Sequence, residues 1–205
     1  MKNNFDLIAP IYDLLAKVVF GNKLEKMQKE FLDHLPLNSR VLIVGGGTGK
    51  ILEWLPPEKR LAVTFVELSE KMMVKAKARN SQALTTDFHQ VDIMEFEGKF
   101  DYIIANFFLD CFEEDTLQLV LKKLASLINF EGKLVVGDFC ANGNQRDRWI
   151  NWWMHRFFKI ASNLESKELK DIRSIMLASD FVETHFESFD RGQLFSGVYG
   201  KRLTQ

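Results

Sequence analysis

Residues Val41-Leu42-Ile43-Val44 run straight into Gly45-Gly46-Gly47-Thr48-Gly49. A short apolar run breaking into a glycine-rich turn reads as a buried strand that delivers backbone to a ligand at its carboxyl end. Glycines at 45, 47 and 49 let the chain bend sharply and approach a ligand with no Cβ in the way. Two phosphate-binding patterns come close and fail on particular residues. A P-loop needs Gly where Val44 stands and Ser or Thr where Ile51 stands, and a dinucleotide fingerprint needs a third Gly where Lys50 stands.

From Arg40 to Phe139 the pattern alternates between strand and helix. Strands are expected near 40–44, 61–66, 86–91, 100–105 and 133–139, with a helix over 114–128 whose stripe is Leu117, Val120, Leu121, Leu124 and Ile128. Such alternation implies a parallel sheet covered on both faces, with a ligand crevice at the strands' carboxyl ends where strand order reverses. Chemistry-bearing residues fall on that edge. Glu67 closes the second strand, where a carboxylate can accept hydrogen bonds from both hydroxyls of a ribose. Leu68-Ser69-Glu70-Lys71-Met72 places an N-cap serine ahead of a helix. Val91-Asp92-Ile93 follows the third strand, and Phe100-Asp101-Tyr102-Ile103-Ile104-Ala105-Asn106-Phe107-Phe108-Leu109 carries the fourth to its end. Leu127-Ile128-Asn129-Phe130-Glu131-Gly132-Lys133-Leu134-Val135-Val136 reads as a helix end, a tight turn and the fifth strand.

In this order these segments resemble the motifs of class I S-adenosylmethionine (AdoMet)-dependent methyltransferases, over about residues 38–140. The resemblance implies that Gly45, Gly46, Gly47 and Gly49 form the cofactor loop and that Glu67 takes the ribose. It implies that Leu68, Met72, Asp92 and Ile93 receive the adenine end, and that Asn106 and Phe107 face the transferable methyl group. Phe5-Asp6-Leu7-Ile8-Ala9-Pro10-Ile11-Tyr12-Asp13 is similar to the start of methyltransferases of ubiquinone and menaquinone biosynthesis, in which the Tyr lies over the cofactor, here Tyr12. One position departs: Ile43 stands where the family usually has an acidic residue that orders the loop or meets the AdoMet amino group. A chain that keeps the fold and uses it as a non-catalytic AdoMet binder or scaffold is the alternative this leaves open.

The implied fold is α/β, a Rossmann-like three-layer sandwich around a mostly parallel seven-stranded sheet of order 3-2-1-4-5-7-6. Residues 1–205 read as one domain: a helical cap over 1–37, the core over 38–140, and substrate-side helices with a C-terminal antiparallel hairpin over 141–205. The cap's second helix carries Leu24, Met27, Phe31, Leu32 and Leu35. Residues 146–160 read as a helix with Trp149, Trp152, Trp153, Phe157 and Phe158, apolar over more of its girth than one packing face needs. It suits an apolar substrate, a partner subunit or a membrane surface, with simple burial between two elements as the other reading, and a further helix is expected at 165–178. The hairpin is expected from Phe181–Phe189 and Leu194–Leu203.

Lys plus Arg number 27 against 28 Asp plus Glu, so nothing pulls the chain toward nucleic acid or an anionic surface. Cys111 and Cys140 lack metal-ligand spacing and the density of a disulfide framework, which points to reduced thiols in the cytoplasm. Leu7 to Phe20 is apolar but interrupted by Pro10, Asp13 and Lys17, and cannot span a bilayer. His34, His89, His155 and His185 are scattered, so no metal is expected. The expected activity is methyl transfer from AdoMet to a small apolar or aromatic acceptor. For proton removal the available carboxylates are Asp110 and Asp138, both just past strand ends, with loop capping as their other role.

Overall fold

The computed structural model describes residues 21–140 and 170–202. Tyr12, the first cap helix and the aromatic helix at 146–160 therefore lie outside the described residues. Seven strands form one sheet of order β3-β2-β1-β4-β5-β7-β6. They are β1 Arg40–Val44, β2 Ala62–Val66, β3 Thr85–His89, β4 Phe100–Asn106, β5 Ile128–Phe139, β6 Phe181–Phe189 and β7 Leu194–Lys201. Pairings among β1 to β5 are parallel, whereas β7 runs antiparallel to both β5 and β6. The expected topology and hairpin are observed.

The helices are α1 Lys23–Lys29, α2 Glu70–Lys77, α3 Glu114–Leu127 and α4 Ile172–Ala178. Alternate strand residues point to opposite faces, and the two faces are buried separately. On one, Leu42, Val44, Ile103, Ala105, Leu134 and Val136 pack with Leu117, Val120, Leu121 and Leu124 of α3 and with Ile172 and Met176 of α4. On the other, Val41, Ile43, Val63, Phe65, Ile104 and Val135 pack with Phe31, Leu32, Leu35, Leu52, Leu55 and with Met73 and Ala76 of α2. This is the three-layer arrangement that period-2 strands between amphipathic helices demand.

Three local differences from the sequence reading have physical causes. The cap's second helix stops at Lys29 and continues as i to i−3 turns, with Leu32 N donating to Lys29 O and Leu35 N to Leu32 O. Pro36 disfavours helix in the residue before it, and the chain must turn to enter β1. Next, β3 ends at His89 rather than 91, because its only strand partner β2 ends at Val66, opposite His89. Val91 instead packs against the core from the loop. Finally, β5 starts directly at Ile128, which pairs with Phe100. The turn expected around 129–132 is a bulge: the register jumps to Tyr102 opposite Lys133, and Asn129 Nδ2 donates to Asp101 Oδ1 at 2.7 Å.

Candidate cofactor and acceptor cavity

A cavity of about 590 Å³ opens at the carboxyl ends of β1 to β4. Its size falls in the range of small-molecule sites. The β1 end supplies Ile43, Val44 and Gly45–Thr48, the β2 end Val66, Glu67 and Leu68, and α2 supplies Met72. Val91, Asp92 and Ile93 close one end, and Asn106, Phe107, Phe108, Cys111 and Phe112 the other, with Leu24, Glu25 and Gln28 of α1 on top.

The glycine turn is shaped from both sides. Gly45 N donates to Val66 O at 2.9 Å, extending the β1–β2 ladder into the turn. A Cβ on Gly46 would stand 2.3 Å from the Phe65 ring, so the backbone lies flat on the core there. Gly47 has φ +57, lines the cavity and has no atom of the described residues within 4 Å of where a Cβ would be. Gly49, expected in the cofactor loop, is absent from the cavity wall; a Cβ there would stand 2.7 Å from Ala76 Cβ in α2.

Glu67 is only 8% exposed and reaches back over this turn. Its Oε2 accepts from Gly47 N at 2.9 Å and its Oε1 from Ser69 N at 2.8 Å. One carboxylate therefore ties the loop after β1 to the start of α2. Ser69 caps α2 as expected, Oγ accepting from Met72 N at 3.2 Å. Met72 is buried and also lines the cavity. Asp92 Oδ1 accepts from Met94 N at 3.0 Å, the two-residue turn typical of Asp, and this fixes the loop that carries Ile93.

At the other end, Phe107 is left-handed, with φ +53, held by its N–H to Gly137 O at 2.7 Å. A bulky side chain in that conformation is strained, and such strain gathers at functional sites. Its ring meets Phe139 at 5.0 Å between centroids, and Phe108 meets Phe112 edge-on at 4.9 Å. Both amide atoms of the Asn106 side chain are buried and have no hydrogen-bond partner among the described residues.

Asp110 and Asp138 are not on the cavity wall. Asp138 is fully buried, its Oδ1 accepting from Phe139 N at 2.9 Å and its Oδ2 without a partner among the described residues. Burial and the neighbouring Asp110 push its carboxyl well above the usual range. Burial raises Asp110 to about 6, against the lowering influence of the Cys111 thiol and of Lys170. Cys111, which does line the cavity, donates to Asp110 Oδ1 at 3.6 Å, and burial next to both carboxylates raises its own pKa well above the ordinary thiol value.

Several wall residues had no sequence signal. Arg79, just past α2, donates from Nε to Thr48 O at 3.0 Å and from Nη1 to Glu53 Oε1 at 3.2 Å, bracing the loop from outside. Lys50 pairs with Glu53 and, as the main cause, holds that carboxyl below its usual range. Trp54 lies under Lys29 Nζ at 5.1 Å. Among the described residues no group of His, Cys, Asp and Glu is placed to hold a metal, and no helix is long and apolar enough to cross a membrane.

Residues 42–134 match the family model described as a methyltransferase domain. A protein of Geobacillus sp. (strain WCH70) named as a putative methyltransferase is 33% identical over 101 residues, which cover 47% of this chain and 40% of that protein. The chain thus spans less than half the length of this curated relative. Among solved structures, the N-methyltransferase NodS from Bradyrhizobium japonicum WM9 with S-adenosylhomocysteine has a TM-score of 0.66 at 18% identity, covering 91% of each chain. The magnesium protoporphyrin IX methyltransferase of Synechocystis PCC 6803, also with bound S-adenosylhomocysteine, has 0.66 at 17%, covering 90% of this chain and 84% of that one. These likenesses establish a shared Rossmann-like fold.

Proposed function

We propose that this chain is an AdoMet-dependent methyltransferase acting on a small apolar or aromatic acceptor. What carries the reading is one cavity in which the Gly45–Gly47 backbone, Glu67, Asp92 and Asn106 converge from four strand ends. The methyltransferase-domain match over 42–134 supports it.

The residues present fit the cofactor. Gly47 lies on the cavity wall, the Glu67 carboxylate stands at the rim where it can accept from ribose hydroxyls, and Asn106 holds a buried amide that no group among the described residues satisfies. Asp92 and Ile93 would hold the adenine end, Glu67 the ribose, and Leu68 and Met72 the apolar face of the base. Bound there, AdoMet supplies a methyl carbon made electrophilic by its sulfonium. The protein's work is then to align the nucleophile and keep water out; orientation of this kind contributes roughly 7–11 kcal/mol. Leu24, Phe107, Phe108 and Phe112 line the cavity with apolar surface, which suits an apolar or aromatic acceptor. The Phe5-to-Asp13 frame favours a quinone-methyltransferase-like subgroup, and the free Cys111 and Cys140 favour a cytoplasmic setting. Tyr12 belongs to that proposal.

Calorimetric titration with AdoMet and with S-adenosylhomocysteine tests the reading: micromolar binding is expected, and absence of binding to either at millimolar concentration rejects it. The buried Ile43 in the cavity wall favours a second reading, a non-catalytic AdoMet binder. Labelled AdoMet offered with a metabolite extract separates the two, since only the enzyme passes label to an acceptor.

A further inference from the structure

The β4 end of the cavity is walled by Phe107, Phe108 and Phe112, and among these rings stand two polar side chains, Asn106 and Cys111. Both amide atoms of Asn106 are buried without a partner among the described residues, so this apolar end suits a ligand that brings a polar atom of its own. Cys111 closes the short turn Leu109–Cys111 that follows β4. Its thiol has one proton and two acceptors within reach, Asp110 Oδ1 at 3.6 Å and Phe107 O at 3.7 Å. Sulfur also accepts weakly. The thiol therefore stands between the cavity and a carboxylate that does not reach the cavity wall.

Behind Asp110 lies Asp138 of β5, which accepts from Phe139 N and from the backbone N–H of Asp110. Two neighbouring buried carboxyls resist ionising together. Burial and Asp110 hold Asp138 neutral well above the usual range, whereas burial lifts Asp110 only to about 6, so near neutral pH the carboxylate of the pair is Asp110. A carboxylate of that strength is a better base than an ordinary one. Cys111 faces Asp110 in its own turn, Asp138 from β5 and Glu67 from the end of β2, and all three add to burial in disfavouring a thiolate. Lys170, whose Nζ donates to Phe112 O, draws Asp110 the other way, toward the charged form. A thiol so placed does not ionise by itself; it passes a proton on by receiving one as it gives one.

Resting on the methyl-transfer reading above, we propose that the acceptor is methylated on a hydroxyl oxygen and that Cys111 relays the hydroxyl proton to Asp110. The acceptor O–H bond breaks as its proton goes to Cys111 Sγ, and the Cys111 S–H proton goes to Asp110 Oδ1, which leaves the thiol intact and Asp110 neutral. The pair left on the acceptor oxygen takes the methyl group, whose bond to the sulfonium breaks with its electrons staying on sulfur. Once product has left, the same relay run backwards returns the proton to water.

Initial rates of label transfer from methyl-tritiated AdoMet to a metabolite extract, read from about pH 5 to 9 with the full chain, test this beside calorimetry with S-adenosylhomocysteine. The unaltered chain is expected to gain rate as pH rises through about 6, where Asp110 becomes a carboxylate. Cys111→Ala is expected to lose about 100- to 10,000-fold in rate, and Cys111→Ser, whose hydroxyl relays a proton in the same way, to stay within about tenfold of the unaltered chain. Asp110→Asn is expected to lose rate as Cys111→Ala does and to lose the rise near pH 6, while S-adenosylhomocysteine affinity stays within about threefold in all three variants. With no ligand present, the infrared S–H stretch that Cys111→Ser removes is expected to shift over the same pH range, and Asp110→Asn to abolish the shift. Should Cys111→Ala fail to fold, Asp110→Asn takes its place in the comparison. Full rate in Cys111→Ala, a Cys111→Ser as slow as Cys111→Ala, or an S–H band indifferent to pH overturns the relay and leaves the methyltransferase reading standing. An unaltered chain that binds S-adenosylhomocysteine but passes no label, or that does not bind it, overturns the methyltransferase reading and the relay together.

Discussion

Glu67 serves two purposes with one carboxylate. Its oxygens accept from Gly47 N and Ser69 N, so it organises the cavity before any ligand arrives. Glu67→Ala leaves both N–H groups without that acceptor, at about 1–3 kcal/mol each where water does not replace it. Urea unfolding should show the loss as a lower midpoint with an unchanged slope, and nucleoside binding should fall with it. The same residue explains what the sequence made legible at this scale. A carboxylate at a strand end, a glycine turn and an Asn after an apolar run announce themselves by type and place. Arg79 and Trp54 do not, because they reach the cavity only through the packing of α2 and of the turn after Gly49. Nor did the sequence foresee that Glu67 would be bonded to the loop, since that depends on where Gly47 turns its N–H.

Two junctions between elements make their own predictions. Gly47 and Gly49 are both left-handed, at φ +57 and +71, but only Gly49 sits against another element, where a Cβ would also stand 2.8 Å from the Ala76 Cα of α2. Gly47→Ala should cost about 1–2 kcal/mol, the strain alone. Gly49→Ala adds overpacking against backbone and should cost about 2–5 kcal/mol, visible as the larger drop in thermal midpoint. The second junction joins the end of β5 to the loop after β4. Asp110 is raised to about 6 and Asp138 well above its ordinary value, so the folded state binds protons that the unfolded chain releases near pH 4. Stability from this pair is complete below about pH 4 and is lost as pH rises through 6 and beyond. Asp138→Asn should therefore raise the midpoint at pH 8, by about 2–4 °C for each kcal/mol recovered, and do less at pH 5. Elements were legible where one period ran cleanly, as in α3 and β1. They were misjudged where a neighbour decided the end: β2 for β3, β4 for the β5 bulge, and Pro36 for the cap helix.

For the whole molecule, the sheet divides into a ligand-facing half and a supporting half. The carboxyl ends of β1 to β4 contribute the cavity, while β6 and β7 supply none of its wall. The hairpin is held otherwise. Tyr199 is fully buried with its hydroxyl donating to Glu183 Oε2 at 3.3 Å, and Arg173 of α4 donates twice to the Glu183 carboxylate, at 2.9 and 2.8 Å. A ligand that binds only the folded chain stabilises it globally by mass action, about 2.7 kcal/mol at a hundredfold excess over Kd. Local opening, in contrast, is suppressed only where the ligand touches. Amide hydrogen exchange with and without S-adenosylhomocysteine should thus slow most at 45–48, 67–69, 92–94 and 106–112. Amides of the β6–β7 hairpin that exchange through local fraying should keep their rates. If slowing were centred on the hairpin instead, the ligand would be binding away from the rim, and the cavity at the strand ends would lose its claim to the cofactor.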